Sequence, residues 1–169
     1  LAEVRRRQAE LAIERGDIKA ALDCAASGLE MVDACDEEFE RGFLLRARGA
    51  ALMLSGEATA ALAALEAAVA AFRKLSLEPE LAETLLDLAA AHTGTVDAGV
   101  DGFIRARANL REAASLDDES GRIDHCAIQL TLARTEMSLG NHDEALRCLF
   151  EVERIGCGHD PDTVEAAAP

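Results

Sequence analysis

Apolar residues recur along this chain at intervals of three and four, the spacing that places them on one face of an α-helix. Ala9, Leu11 and Ile13 mark a first helix that ends near Arg15-Gly16. A second is predicted over about 18–32, with Leu22, Ala25 and Leu29 on one face. Asp36 is a good N-cap for a third, and Glu37 and Glu38 suit the positive end of its dipole. That helix carries Phe39, Phe43, Leu45, Leu52 and Met53 and stops at Ser55-Gly56. A fourth covers 57–75. Glu78-Pro79 opens a fifth, since Pro fits a first helical turn, and Leu81, Leu85, Leu88 and Ala89 follow to a stop near Thr93-Gly94. Gly94, Gly99 and Gly102 argue for a looser stretch before a sixth helix through Phe103, Ala106 and Leu110. Ile123, Cys126, Leu130, Ala133 and Met137 form an apolar stripe for a seventh. Asn141 caps the eighth, with Glu144 placed for a capping box and Leu146, Leu149 and Val152 as its apolar face. Residues 157–169 read as a tail or linker after one domain over 1–156.

These eight helices repeat. GDIKAAL from Gly16, GEATAAL from Gly56 and GNHDEAL from Gly140 superimpose, each with Ala five and Leu six residues after the Gly. With Gly94 as a fourth turn, successive spacings are 40, 38 and 46 residues. A period of this size is the mark of stacked helical hairpins, so the fold class is all-α, a solenoid of about four antiparallel hairpins. The third unit fits worst: Gly99 stands where the others have Ala, which predicts an insertion after Gly94.

Composition agrees. Half of the 169 residues are apolar, Trp and Tyr are absent, and only five residues are Phe. That favours close-packed helices over sheets. The net charge of −15 repels a phosphate backbone and argues against nucleic acid as a direct partner. Arg5, Arg6, Arg7 and Arg105, Arg107, Arg111 read as solvated helix faces beside carboxylates. The most apolar stretch, 58–72, is rich in Ala and interrupted by Glu66, so no membrane span is expected. Leu at position 1 suggests an excised or processed part of a longer protein. Five cysteines without a C-x-x-C pair, three of them on apolar stripes, fit a cytoplasmic protein.

No catalytic constellation is visible, so an enzyme is not expected and no cofactor or metal is implied. Gly94, Gly99 and Gly102 lack the spacing and the preceding strand of a dinucleotide loop. Cys157, His159 and Asp160 are too few for structural zinc. His125 and Cys126, adjacent on a helix, point in different directions.

The repeat resembles the tetratricopeptide repeat family. Seven residues before the turn glycines stand Ala9, Gly49 and Ala133, small as that family requires, and Ala21, Ala61 and Ala145 sit where its helices cross. Large side chains there would hold the helix axes apart. The family's aromatic after the turn is replaced by Ile18, Ala58 and His142, its early Trp by Arg5, Leu45 and Gln129, and its closing Pro is missing. The resemblance implies a right-handed stack whose concave groove is lined by the first helix of each hairpin. Carried over position by position, the groove is Arg6, Glu10 and Ile13; Phe43, Arg46, Ala50 and Met53; Arg134 and Met137. The asparagines of the family's carboxylate clamp are absent, with Glu10, Ala50 and Arg134 in their place, so binding of chaperone tails is not expected. The set suits an amphipathic helix or an extended peptide with some acidic character. Packing between hairpins is the other reading of Phe43, Met53 and Met137.

The expected function is a non-enzymatic interaction or regulatory module of a larger signalling or transcription protein of bacterial type, with a protein or peptide as partner. A free-standing acidic chaperone or adaptor, and a ligand-sensor domain, are the alternatives. The helix over 57–75, with Ala nearly all round, suggests a homodimer contact; small Ala side chains tolerated at a surface explain it equally well.

Overall fold

The computed structural model describes residues 1–35, 37–94, 98–118 and 121–156. Its helices are α1 (Ala2–Glu14), α2 (Ile18–Cys35), α3 (Glu38–Ser55), α4 (Ala58–Leu75), α5 (Glu78–Thr93), α6 (Gly99–Ala114), α7 (His125–Ser138) and α8 (His142–Gly156), with no strand among the described residues. Consecutive helices pair as four antiparallel hairpins, and each hairpin stacks on the next through α2·α3, α4·α5 and α6·α7. This is the solenoid that the repeat predicts. The expected tail at 157–169, with Cys157, His159 and Asp160, lies outside the described residues, as does Asp36; the residue that precedes α3 is Glu37.

The three aligned glycines make one turn three times. Gly16, Gly56 and Gly140 have φ of 73°, 82° and 76°, the left-handed region that a side chain disfavours. In each turn the Gly N–H donates to the carbonyl three residues back, and the next N–H to the carbonyl five residues back: Gly56 to Met53 (3.1 Å) and Glu57 to Leu52 (2.9 Å) are one case. Bonds of this pattern satisfy the last carbonyls of a helix while reversing the chain. Ser76 (φ 54°) ends α4 in the same way, whereas Gly94 is right-handed (φ −81°). Asp17 and Asp124 cap α2 and α7, accepting from the N–H groups of Ala20 (3.1 Å) and Ala127 (2.9 Å).

Small residues sit where the helices cross. Ala9, Ala21, Ala61, Ala133 and Ala145 are buried, and so is Gly49. A Cβ added at Gly49 would lie 2.6 Å from Cγ of Leu65, so α3 and α4 touch at van der Waals distance with no room for a methyl group. The largest core joins α4 to α8 around Leu65, Phe72, Leu85, Leu110 and Ile128.

Three expectations need correction. The α7 stripe divides: Ile123 and Ala133 are buried, but Leu130 and Met137 are exposed, and Ile128, Leu132, Thr135 and Glu136 fill the core side instead. Ile128, Ala133, Thr135 and Glu136 follow the repeat register, being offset 84 residues from Leu44, Gly49, Ala51 and Leu52, which are buried in α3; Leu132 does not, since its counterpart Arg48 is exposed. The extra length of the third unit falls mainly in the α6–α7 connection, over 115–124, where Asp118 accepts from the N–H groups of Arg122 (2.8 Å) and Ile123 (3.0 Å). Asn141 directs its side-chain amide to Glu136 (2.7 Å), which replaces the reciprocal box expected with Glu144. On α4, Leu65, Val69 and Phe72 are buried within the stack, and its exposed side is Ala60, Ala63, Glu66, Ala67 and Ala70.

Candidate functional site

Because α3 packs on both α1 and α5, the first helices of three hairpins lie side by side. Between them runs a groove of about 330 Å³ lined by Glu10, Ile13 and Glu14 of α1, by Phe43, Arg46, Ala47 and Ala50 of α3, and by Asp87 of α5. Its size is at the lower end of ligand-binding clefts. Five of the nine expected groove positions line it directly: Glu10, Ile13, Phe43, Arg46 and Ala50.

Phe43 forms the apolar floor. It is half-buried and contacts the rings of Phe72 and Phe39 edge to face, both at a centroid distance of 5.1 Å. The Arg6 guanidinium carbon stands 4.7 Å from the Phe43 ring centroid, a cation over a π-face. Arg6 also donates through Nε to Glu40 (2.9 Å) and through NH1 to Glu10 (3.1 Å). It is therefore buried beneath the groove edge as part of the wall, and is not free to meet a ligand.

Arg46 is engaged in the same way. Its Nε donates to Asp87 (2.7 Å) and its NH1 pairs with Glu83. Glu83 and Asp87 are four residues apart, hence on one face of α5, and grip the guanidinium from two sides. Burial pulls the Arg46 pKa down, but Asp87 and Glu83 more than offset it, so the net shift is upward. Arg6 behaves alike: burial lowers its pKa, and Glu40 and Glu10 raise it further. Neither cation changes state in the physiological range.

The electrostatic character of the groove therefore differs from the sequence expectation. Five carboxylates, Glu10, Glu14, Glu40, Glu83 and Asp87, meet three guanidinium groups, those of Arg6, Arg46 and Arg7, the last 3.0 Å from Glu10, a local excess of two negative charges. The arginines that suggested an acidic ligand are already neutralised by the protein.

The remaining expected residues lie elsewhere. Met53 is half-buried against the main core and the Leu52/Ala61 cluster, so it packs between hairpins. Arg134 and Met137 are exposed on α7, one turn and two turns along from Leu130. Direct packing of first helices links α1, α3 and α5; α7 meets its neighbours through α6 and α8. Arg134 and Met137 are not among the residues that line the groove.

A second polar cluster escaped the sequence reading. Glu136 is fully buried and accepts from Arg111 (2.9 Å) and Asn141 (2.7 Å), with Arg107 at 3.7 Å. The signal was in the repeat: the same register position is Ala12 in the first hairpin and Leu52 in the second. Among the cysteines, burial first, then Glu144 and Glu136, push the Cys148 thiol up, which keeps it unreactive. No helix among the described residues is long and apolar enough to cross a membrane.

No protein-family model and no curated protein sequence matches this chain. Solved structures do. BtubC (BKLC) from P. vanneervenii superimposes with a TM-score of 0.80 at 17% identity, over 100% of this chain and 66% of that one. The kinesin light chain nearly identical TPR-like repeats of Podosopora anserina give a TM-score of 0.64 at 21% identity, over 99% of this chain and 78% of that one. A variant of the same protein gives 0.65 at 22%. The chain thus spans about two thirds of the first of these structures. At such identities the likeness is one of fold: this is a TPR-like helical solenoid.

Proposed function

We propose that this solenoid is a non-enzymatic interaction module of a larger signalling or regulatory protein, acting in the cytoplasm, and that its groove holds a basic amphipathic helix or peptide. A TPR-like fold is a scaffold for protein interactions, which supplies the general class. The local excess of carboxylates around Phe43 carries the specific reading. A ligand with one apolar side chain over Phe43 and Ile13, and Lys or Arg toward Glu14, Glu10 and Asp87, meets complementary charge on every side. An acidic ligand would have to displace Glu83 or Asp87 from Arg46. The net charge of −15 argues in the same direction and against nucleic acid.

The test uses two labelled helical peptides with the same apolar face, one bearing Lys and Arg and the other Glu, titrated with the protein and followed by fluorescence anisotropy. The basic peptide is expected to bind and the acidic one to fail. Glu14→Lys changes the rim by two charges without touching either arginine cluster. It should weaken the basic peptide about tenfold at low salt, from roughly 0.5–1 kcal/mol per exposed charge. Preference for the acidic peptide, or indifference to Glu14→Lys, overturns the reading.

A further inference from the structure

The second helix of each hairpin turns one side away from the stack, and that side recurs four times within the chain. Burial sets the register. Ala61, Leu65, Val69 and Phe72 of α4 correspond, 41 residues on, to Gly102, Ala106, Leu110 and Ala113 of α6, and all of them are buried. In this register Val100 and Ile104 of α6 stand where α4 has Thr59 and Ala63, α2 has Lys19 and Asp23, and α8 has Asp143 and Arg147. Every one of these positions is exposed, in the interior of the stack as well as at its ends.

The other hairpins place small or polar residues there, whereas α6 places two bulky apolar ones. Val100 is 67% and Ile104 42% exposed. A single exposed apolar side chain is ordinary. Two on successive turns, with Ala108 on the turn after them, make a continuous stripe.

Observed pairs identify the flanks of the stripe. A helix advances about 100° per residue, so Arg107 and Arg111 lie on one side of Ile104, and both reach Glu136 of α7 (3.7 and 2.9 Å). Asp101 and Arg105 lie about 60° and 100° round on the other side. Glu112 shares that side and accepts from Arg73 of α4 (2.5 Å). The side chains that α4 exposes next to it are mostly alanines, which leave an approaching helix room. Asp101 and Arg105 are both exposed, and among the described residues neither makes an ion pair or a side-chain hydrogen bond.

We propose that two copies of this chain pair through the outer face of α6. A two-fold contact lays one patch against itself, so the patch has to be complementary to itself. With α6 antiparallel to its copy about an axis level with Phe103, Asp101 of each molecule stands opposite Arg105 of the other, because both lie two residues from that level and on the same flank. Val100 lies three residues before the level and Ile104 one after it. The seam therefore runs Val100, Ile104 of the second copy, Ile104, Val100 of the second copy, in steps of about 3 Å. The apolar side chains interleave, and two ion pairs close the flank toward α4. Such a contact is isologous and stops at the dimer. α6 does not line the groove on α1, α3 and α5, so the pairing is independent of the ligand read there.

The test is sedimentation velocity with light scattering on the 169-residue chain from micromolar to millimolar concentration. The wild type is expected to pass from monomer to dimer, with nothing larger. Val100→Asp combined with Ile104→Arg installs the two residues that α8 carries at these places. Helicity by circular dichroism should be unchanged, and the protein should stay monomeric. Asp101→Arg, and separately Arg105→Asp, set like charges opposite one another and should each weaken self-association about tenfold. Mixed in equal amounts, these two variants should pair with each other about as strongly as the wild type, because every facing pair is again one cation and one carboxylate. A wild type that is monomeric at millimolar concentration overturns the proposal, and so do species larger than a dimer. A Val100→Asp, Ile104→Arg protein that still dimerises places the contact elsewhere and overturns it too. So does a mixture of the charge variants that associates no better than either alone.

Discussion

Replacing Gly49 by Ala tests the helix contact on which the register rests. In an isolated helix the change gains about 1 kcal/mol, since Gly is the poorer helix former. Here the added methyl would stand 2.6 Å from Cγ and 2.7 Å from Cδ2 of Leu65. Carbon atoms rest at about 3.5–4.0 Å, so Leu65 would have to retreat by roughly 1 Å. It is fully buried, and the atom in conflict is its branch point, which cannot swing aside. Overpacking of this kind costs about 1–3 kcal/mol, which outweighs the gain. A net loss of up to about 2 kcal/mol is expected, read by urea unfolding, or as a fall in Tm of up to about 8 °C for a domain of this size.

The companion variant isolates the cause. Leu65→Ala alone should cost about 2–5 kcal/mol through the cavity it leaves. In that background a methyl group at position 49 has space, and Gly49→Ala should become stabilising by about 1 kcal/mol. The double-mutant cycle then shows a coupling of about 1–3 kcal/mol with the sign of mutual relief. A Gly49→Ala protein that is more stable than the wild type would refute the reasoning. The axes of α3 and α4 would not be in contact there, and the small residues at 9, 49 and 133 would have lost their explanation.

Further expectations concern buried charge and thiols. Burial, with help from the Arg105 cation, holds the His92 imidazole below its ordinary value of 6.5. The unfolded chain therefore takes up a proton first, so stability is intact above about pH 6.5 and falls as the pH drops below it. Tm against pH should show this slope below about pH 6.5, and His92→Gln should flatten it whatever its own Tm; an unchanged slope would assign it to other groups. Glu136→Ala removes two charge-assisted hydrogen bonds and opens a void. It should cost about 2–3 kcal/mol, below the 3–5 of a fully buried pair because Arg111 is half-exposed and regains water. Glu136→Leu, which restores the residue of the second hairpin, should cost less than the Ala variant in the same urea titration. A thiol reagent followed by peptide mapping should label half-buried Cys24 and Cys126 well before buried Cys148.

What was legible in the sequence was local and periodic. A Gly that must be left-handed, and an Ala or Gly at a helix crossing, are single-position requirements set by neighbours a few residues away. They repeat because the hairpin repeats. Helical periodicity alone was a weaker guide. It put Leu130 and Met137 on the buried stripe of α7, whereas the register from Gly140 points to Ile128, Ala133, Thr135 and Glu136. A helix in a solenoid touches three neighbours, so its buried arc is wide, and a stripe drawn at threes and fours can be rotated by most of a turn and still look apolar. The same register marks Glu136 as foreign to its position, which is the one sequence sign that its carboxylate must find partners inside.

The groove was legible in place but not in charge. Arg46 and its acceptors are 37 and 41 residues apart, Glu83 and Asp87 standing on the helix of the next hairpin. Nothing local to Arg46 announces them, and a carry-over of positions from a family pattern transfers where a side chain points without transferring what meets it. The same holds for Arg6, whose partner Glu40 is 34 residues away. In a stacked repeat the residues that neutralise a groove cation come from the adjacent unit, so groove charge follows from pairs of repeats taken together. Taken in that way, α5 supplies carboxylates opposite both the arginine and the phenylalanine of α3. The exposed acid Glu14 is left facing a ligand, which is why its reversal, and not that of Arg46, discriminates between a basic and an acidic partner.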